Sequence, residues 1–213
     1  MKNEFSIDTQ NIVSSIQLVK LSSLKPIEKV MPTHLEYISS QIEQTGYINK
    51  PLIIDKTNNI ILDGSHRYAY LKSQGYLFAP VLVVNYNSSL IDVGSNLIHR
   101  YINKKQSTIT KDDVIKKALS NELFNPRTTR HFFPFKKSDC PTTLDKLKRG
   151  QKSCIRHLLS DITVEEEIIY NKNYIKEIDN ELSLINQYTQ EQLQTKEYLQ
   201  NQIKNMQNSI NHP

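Results

Sequence analysis

The sequence predicts an α+β fold, a small mixed sheet with flanking helices, followed by one long C-terminal helix. Three observations carry that prediction. The short apolar runs Pro51-Leu52-Ile53-Ile54-Asp55, Asn59-Ile60-Ile61-Leu62-Asp63 and Val81-Leu82-Val83-Val84 have the length and flanking residues of strands. Around them, apolar residues recur at helix spacing. Residues 164–213 carry a third, heptad-like pattern, with no glycine and no proline before Pro213.

Taken in order, Ile16-Gln17-Leu18-Val19-Lys20-Leu21 alternates like a half-buried strand, and Ser22-Ser23-Leu24-Lys25-Pro26 breaks it. After Pro32, Thr33 reads as an N-cap, and Leu35, Ile38 and Ile42 mark one helical face down to Gly46. Only Lys56-Thr57-Asn58 separates the next two strands, a link short enough for a hairpin. The amphipathic segment Tyr68-Ala69-Tyr70-Leu71-Lys72 then runs as a helix from His66 to Gly75, and the strand at Val81 follows. By about residue 90 the order is β-α-β-β-α-β. Residues 91–123 read as mainly helical, with Val114, Ile115, Ala118 and Leu119 at helix spacing. Pro126 to Pro141 reads as loop or edge strand, and Thr143 to Leu147 as a short helix.

In the C-terminal segment Ile168, Ile175, Ile178, Leu182 and Ile185 fall on three- and four-residue steps, interrupted at Asn171. The frame continues through Thr189, Gln192 and Lys196 to Leu199, Ile203, Met206 and Ile210. That is a heptad seam with a polar gap, expected to pair in a homodimer or to bind a partner protein as a coiled coil. A helix folded back on the body is the alternative.

Composition narrows the function classes. Of 213 residues 38% are hydrophobic, and no apolar run approaches the roughly 20 residues that span a bilayer. Met1-Lys2-Asn3-Glu4 opens no hydrophobic leader, so no membrane association and a cytoplasmic location are expected. Cys140 and Cys154 form no metal-ligand spacing and are expected to be reduced. The net charge of +5 is uneven. Residues 164–213 hold four lysines against eight acids, net −4, which leaves +9 on the rest. A basic body points to an anionic ligand, whether nucleotide, phosphorylated metabolite or nucleic acid, although solubility alone would also account for it.

The residues with most chemistry are Asp63-Gly64-Ser65-His66-Arg67, at a strand–turn–helix junction. Such a turn aims backbone N–H groups and the positive end of a helix dipole at one point, which suits phosphate. Asp63 could hold Mg²⁺ or take a proton, Gly64 lets the backbone approach, and His66 and Arg67 could neutralise phosphate oxygens. The plainer alternative is that Asp63 and Ser65 cap the helix and Arg67 makes an ordinary salt bridge. A second cluster, Pro126-Arg127-Thr128-Thr129-Arg130-His131, offers hydroxyls, guanidinium groups and an imidazole to a phosphorylated or amino-acid ligand. It could also track a nucleic-acid backbone, with Phe132, Phe133 and Phe135 as stacking platforms, or be a basic loop tethered by core phenylalanines. Glu28, in the loop after the first strand, means little alone. His34, His99 and His157 stand isolated and read as surface or packing residues. The chain has no Walker loop, no GxGxxG and no HExxH.

Together, the strand–DGSHR–helix turn and the glutamate loop before it resemble the ParB/sulfiredoxin-like superfamily. The downstream Pro-Arg-Thr-Thr-Arg-His segment is similar to its free serine kinase branch, which is ADP- or ATP-dependent. The resemblance covers roughly residues 16–150 and leaves out the C-terminal helix. It implies a 1–15 N-terminal arm, a 16–90 core, a 91–163 extension completing the substrate site, and the 164–213 helix. It also implies phosphoryl transfer from ADP or ATP, with Mg²⁺, to the hydroxyl of free L-serine. Glu28 would accept the hydroxyl proton, and Asp63 would stand beside Mg²⁺ and the reacting phosphate. Gly64, Ser65, His66 and Arg67 would line the phosphate site, and Arg127, Thr128, Thr129 and His131 the serine site. Two departures stand out. Ser65 occupies a position where relatives often have histidine, and without tryptophan an aromatic serine contact would fall to Tyr86 or Tyr101. The turn lacks the catalytic cysteine of sulfiredoxins. A nucleic-acid-binding ParB-like protein and a non-catalytic nucleotide sensor are the alternatives, but residues 91–150 hold no helix-turn-helix signature.

Overall fold

Isoleucine and leucine at alternating positions set the centre of the sheet. In strand β3 (Leu52–Asp55), Leu52 and Ile54 face one apolar cluster and Ile53 faces another, so all three side chains are buried. The structure, a computed structural model, describes residues 15–94, 109–137 and 139–211. The remaining strands of the sheet are β1 (Gln17–Lys20), β4 (Ile61–Asp63) and β5 (Phe78–Val84), in the order β1-β5-β3-β4. β5 runs parallel to β3, and the β1–β5 and β3–β4 pairs are antiparallel. The mixed sheet, its helices and the long C-terminal helix agree with the fold class expected from the sequence.

The β3–β4 link is the expected hairpin, closed by local chemistry. Asp55 Oδ2 accepts from the Asn58 N–H at 2.7 Å, and Asn59 adopts a left-handed φ of 55°. Helix α1 (Pro32–Thr45) begins two residues earlier than a Thr33 cap would require. Pro32 takes the first helical position, where its missing N–H costs nothing, so Met31 is the N-cap. Gly46 ends the helix in the left-handed conformation, its N–H on Ile42 O at 2.8 Å. α1 is followed by β2 (Tyr47–Ile48), and α2 (Ser65–Ser73) joins β4 to β5.

Beyond the sheet, β6 (Asp92–Gly94) lies where helix was expected, and helix α3 (Lys111–Leu119) opens on a Thr110–Asp113 capping box. β7 (Arg130–Phe132) pairs with β6, and β8 (Thr142–Thr143) pairs with β2. Leu144–Leu147, expected as a helix, is one 3₁₀ turn. Phe133 and Phe135 pack on the cluster that holds Ile53, Leu62 and Tyr86, so they are tethers of the loop.

The chain divides into two compact units. Of the described residues, one comprises those up to 94 and from 109 to 164, and the other those from 165 to 211. The second unit holds most of helix α4 (Val164–Asn211), continuous over 48 residues. Its seam residues Ile168, Ile175, Leu182, Ile185, Leu199, Ile203 and Met206 are all exposed. No described helix is long and apolar enough to cross a membrane.

Candidate active site

Glu28, Asp63 to Arg67 and Arg127 to His131 all belong to the first unit. The turn after β4 is built on Gly64, whose φ of +102° is one that a side chain resists. A Cβ there would also lie 3.0 Å from Arg67 Nη2 and 3.1 Å from Leu52 Cγ. Gly64→Ala is expected to destabilise the protein by about 1–3 kcal/mol through strain and displacement of Arg67. An unchanged urea midpoint would show that the turn relaxes freely.

Ser65 is the first residue of α2. Neither it nor Asp63 caps the helix by a side-chain bond; Gly64 is the N-cap. His66 Nε2 accepts the Met31 N–H at 3.2 Å. An acceptor Nε2 leaves the ring proton on Nδ1, so His66 is neutral. Burial, with His34, Arg127 and Arg67 nearby, lowers its pKa to about 3. His66 therefore meets an anion as a hydrogen-bond donor and not as a charge. His34, read as isolated, stands edge-on to it with ring centroids 4.5 Å apart.

Arg67 is heavily engaged. Its Nη1 donates to Lys50 O at 2.6 Å and Pro51 O at 2.9 Å, and its Nη2 to Asp63 Oδ2 at 3.3 Å. It ties α2 to the start of β3 while charging the turn. Asp63 also takes Lys137 Nζ at 3.1 Å. Burial works to raise the Asp63 pKa, yet Arg67 and Lys137 hold it below the ordinary carboxylate value. Asp63 is thus an anion at neutral pH.

Glu28 has the opposite environment. Residues 25–30 are stitched to three distant segments through bridges from Lys25 to Ile60, Glu28 to Phe124 and Val30 to Leu159. The Phe124 bridge brings the Thr129 N–H to Glu28 Oε1 at 3.0 Å, and the Thr129 hydroxyl to 3.4 Å. Burial pushes the Glu28 pKa up to about 7, against the pull of the Thr129 bond. Arg127, at a left-handed φ of 59°, acts electrostatically on both Glu28 and His66. The Thr128 hydroxyl is turned to Asn125 O at 2.7 Å.

His131 sits on β7, buried, with Nε2 2.9 Å from the Tyr86 hydroxyl. Burial lowers its pKa to about 4, although the Asp63 anion pulls the other way. Tyr86, one of the two rings expected near a substrate, is therefore engaged with His131, while Tyr101 and His99 lie outside the described residues. Arg127 acts on both Glu28 and His66, and Asp63 interacts with Arg67, Lys137 and His131. The short Thr129–His131 stretch links the two groups. Sequence reasoning missed Lys137, since one lysine in Phe135-Lys136-Lys137 carries no signal of its partner.

No family model matches the chain. A curated ATP-dependent L-serine kinase from Staphylothermus marinus is 29% identical over 73 residues, 32% of this chain and 29% of that protein. A ParB-like protein from Sulfolobus acidocaldarius is 34% identical over 80 residues, 37% of this chain and 39% of that one. The chain thus spans about a third of the length of these curated relatives. Among solved structures, an alanine variant of free serine kinase in complex with ADP superposes with a TM-score of 0.54 at 16% identity. That match covers 63% of this chain and 95% of the other. The fold is therefore that of the free serine kinases, and part of the sequence is also similar to a ParB-like protein.

Proposed function

We propose that the chain transfers a phosphoryl group from ADP or ATP to the hydroxyl of free L-serine, giving O-phospho-L-serine. What supports this reading is the contrast between two carboxylates, Glu28 raised to about 7 and Asp63 held ionised. Such a pair assigns a base and an electrostatic anchor. The kinship with an L-serine kinase over 73 residues supports the choice of acceptor.

In this reaction Glu28 takes the proton as the serine Oγ–P bond forms and the bond from phosphorus to the nucleotide oxygen breaks. The nucleotide leaves as AMP or ADP. Gly64, Ser65 and His66 present the first N–H groups of α2 to the phosphates, where the helix dipole favours negative charge. Arg67 and Lys137 spread positive charge over the same region. Arg127, Thr128, Thr129 and His131 form the serine end, with the Thr129 bond holding Glu28 in place. Among the described residues no group of three or more ligating side chains forms a metal cage. Asp63 alone suits Mg²⁺, which is commonly held by one carboxylate and the substrate phosphates. When bound, Mg²⁺ supplies neutralising charge to the phosphate oxygens.

A reducing cytoplasm fits the two free cysteines. The exposed seam of α4 would serve a homodimer or a partner protein. The nucleic-acid reading keeps the basic charge and the partial likeness to a ParB-like protein, but two of its three stacking phenylalanines pack on the core. The test is an assay of L-serine with Mg²⁺ and ADP or ATP in parallel, followed by ³¹P NMR. Phosphoserine with one nucleotide names the donor, and none with either overturns the proposal.

A further inference from the structure

A cavity of about 630 Å³ lies in the first unit, apart from the residues of the candidate active site. Residues 21–26, Tyr68 and Lys72 of α2, the turn at 75–77, and the 151–158 segment supply most of its wall. None of Glu28, Asp63, His66, Arg67, Thr129, His131 or Lys137 lines it. Backbone bonds fix its shape in advance. Leu21 N–H donates to Leu77 O at 2.9 Å, and Gly150 N–H to Gly75 O at 2.7 Å. At Gly75, φ +78°, a Cβ would fall 2.7 Å from the Gln151 carbonyl, so the 150–151 backbone packs directly on this turn.

The charge of the lining is one-sided. Lys25, Lys72 and His157 contribute to it, and no aspartate or glutamate does. Lys72 Nζ rests on the Tyr68 hydroxyl at 3.3 Å and 5.5 Å from the ring centre, with no carboxylate partner among the described residues. Burial and the Lys72 ammonium both hold His157 below its ordinary pKa, which places these two groups within electrostatic reach. Leucines 21, 24, 77, 123 and 158 form an apolar wall beside this polar end. A lysine in the last turn of a helix is already favoured by the helix dipole, which accounts for Lys72 alone. It accounts for neither Lys25, which lies in a loop, nor the cavity. The volume falls within the range of small-molecule sites, which combine apolar walls with a few convergent polar groups.

We infer that this cavity is a second, non-catalytic site for a small phosphomonoester, its phosphate between Lys25 and Lys72 and its apolar part against the leucines. Phenyl phosphate is a suitable probe, titrated by isothermal calorimetry into the full chain. One equivalent is expected to bind, and phenol, which lacks the charge, is expected not to. Lys72→Ala should weaken phenyl phosphate about tenfold, as loss of one phosphate contact does. Ser153→Phe, at an exposed lining position, should block it sterically even if the lysine variant fails to fold. Glu28→Gln should leave it unchanged. Equal binding of phenol, or full affinity in both folded cavity variants, would each overturn the proposal. Because the readout is binding, it stands or falls separately from serine turnover.

Discussion

Glu28→Gln should abolish phosphoserine formation, by about 10²–10⁴-fold, while making the protein more stable at pH 8. The activity loss follows from removing the group that takes the serine proton. The wild-type rate should rise with pH and level off above about 7, where Glu28 becomes ionised. His66 and His131, lowered to about 3 and 4, are neutral throughout that range and do not shape the profile. The stability gain has the same origin. An unfolded glutamate titrates near 4.5, whereas folded Glu28 titrates near 7. Between those values the unfolded chain has released a proton that the folded chain keeps, so stability falls as pH rises and stays low above 7. A neutral glutamine escapes that penalty, worth on the order of 2–3 kcal/mol, and can still accept the Thr129 N–H. Urea denaturation should show the variant ahead at pH 8 and level with the wild type below about pH 4.5. Equal stability at both pH values would mean that Glu28 is not desolvated.

Asp63→Asn should also cost about 10²–10³-fold in activity, but with the opposite effect on stability. Asp63 is the common anion for Arg67 and Lys137, at 3.3 and 3.1 Å. Asparagine keeps the shape and removes the charge, leaving two cations facing each other across the turn. A loss of about 1–2 kcal/mol at pH 7 is expected, because stripping one partner from a partly buried pair leaves the other uncompensated. The folded pKa lies below 3.8, so this contribution is present above that value and vanishes as pH falls through the folded pKa. Variant and wild type should therefore converge in strong acid. Calorimetric titration with Mg²⁺–ADP gives a readout independent of turnover, and unchanged nucleotide affinity together with unchanged stability would remove Asp63 from the site.

The sheet was legible because its strands declare themselves locally. Leu52, Ile53 and Ile54 are buried on both faces, and Asp55 to Asn59 carry the turn chemistry of their own hairpin. What escaped was set at long range. Strand β2 exists because Thr142 and Thr143 lie beside it, and two residues show no period. β6 looked helical for the same reason, since its partner is β7. In the site, the DGSHR turn was visible as a local pattern. Glu28 drew attention only through family resemblance, because its desolvation comes from tertiary packing and its hydrogen bond from Thr129. The Lys137–Asp63 pair and the His34–His66 contact left no trace in sequence spacing. The length of α4 was readable from its seam, whereas what covers that seam is a property of another surface.

The bridge from Glu28 to Phe124 and the bond to Thr129 have a kinetic consequence. Glu28 and Thr129 are 101 positions apart, and Lys137 and Asp63 are 74 apart. Closing loops of that size costs chain entropy that local contacts do not return, so these are slow contacts to form. The β3–β4 hairpin and α2 can assemble before the 124–137 segment arrives. Until it does, Glu28 remains hydrated and holds its proton as loosely as any solvent-exposed glutamate. Near pH 6 the seating of that segment draws one proton from solution onto Glu28, so the last stage of folding can be followed as proton uptake with a pH indicator dye.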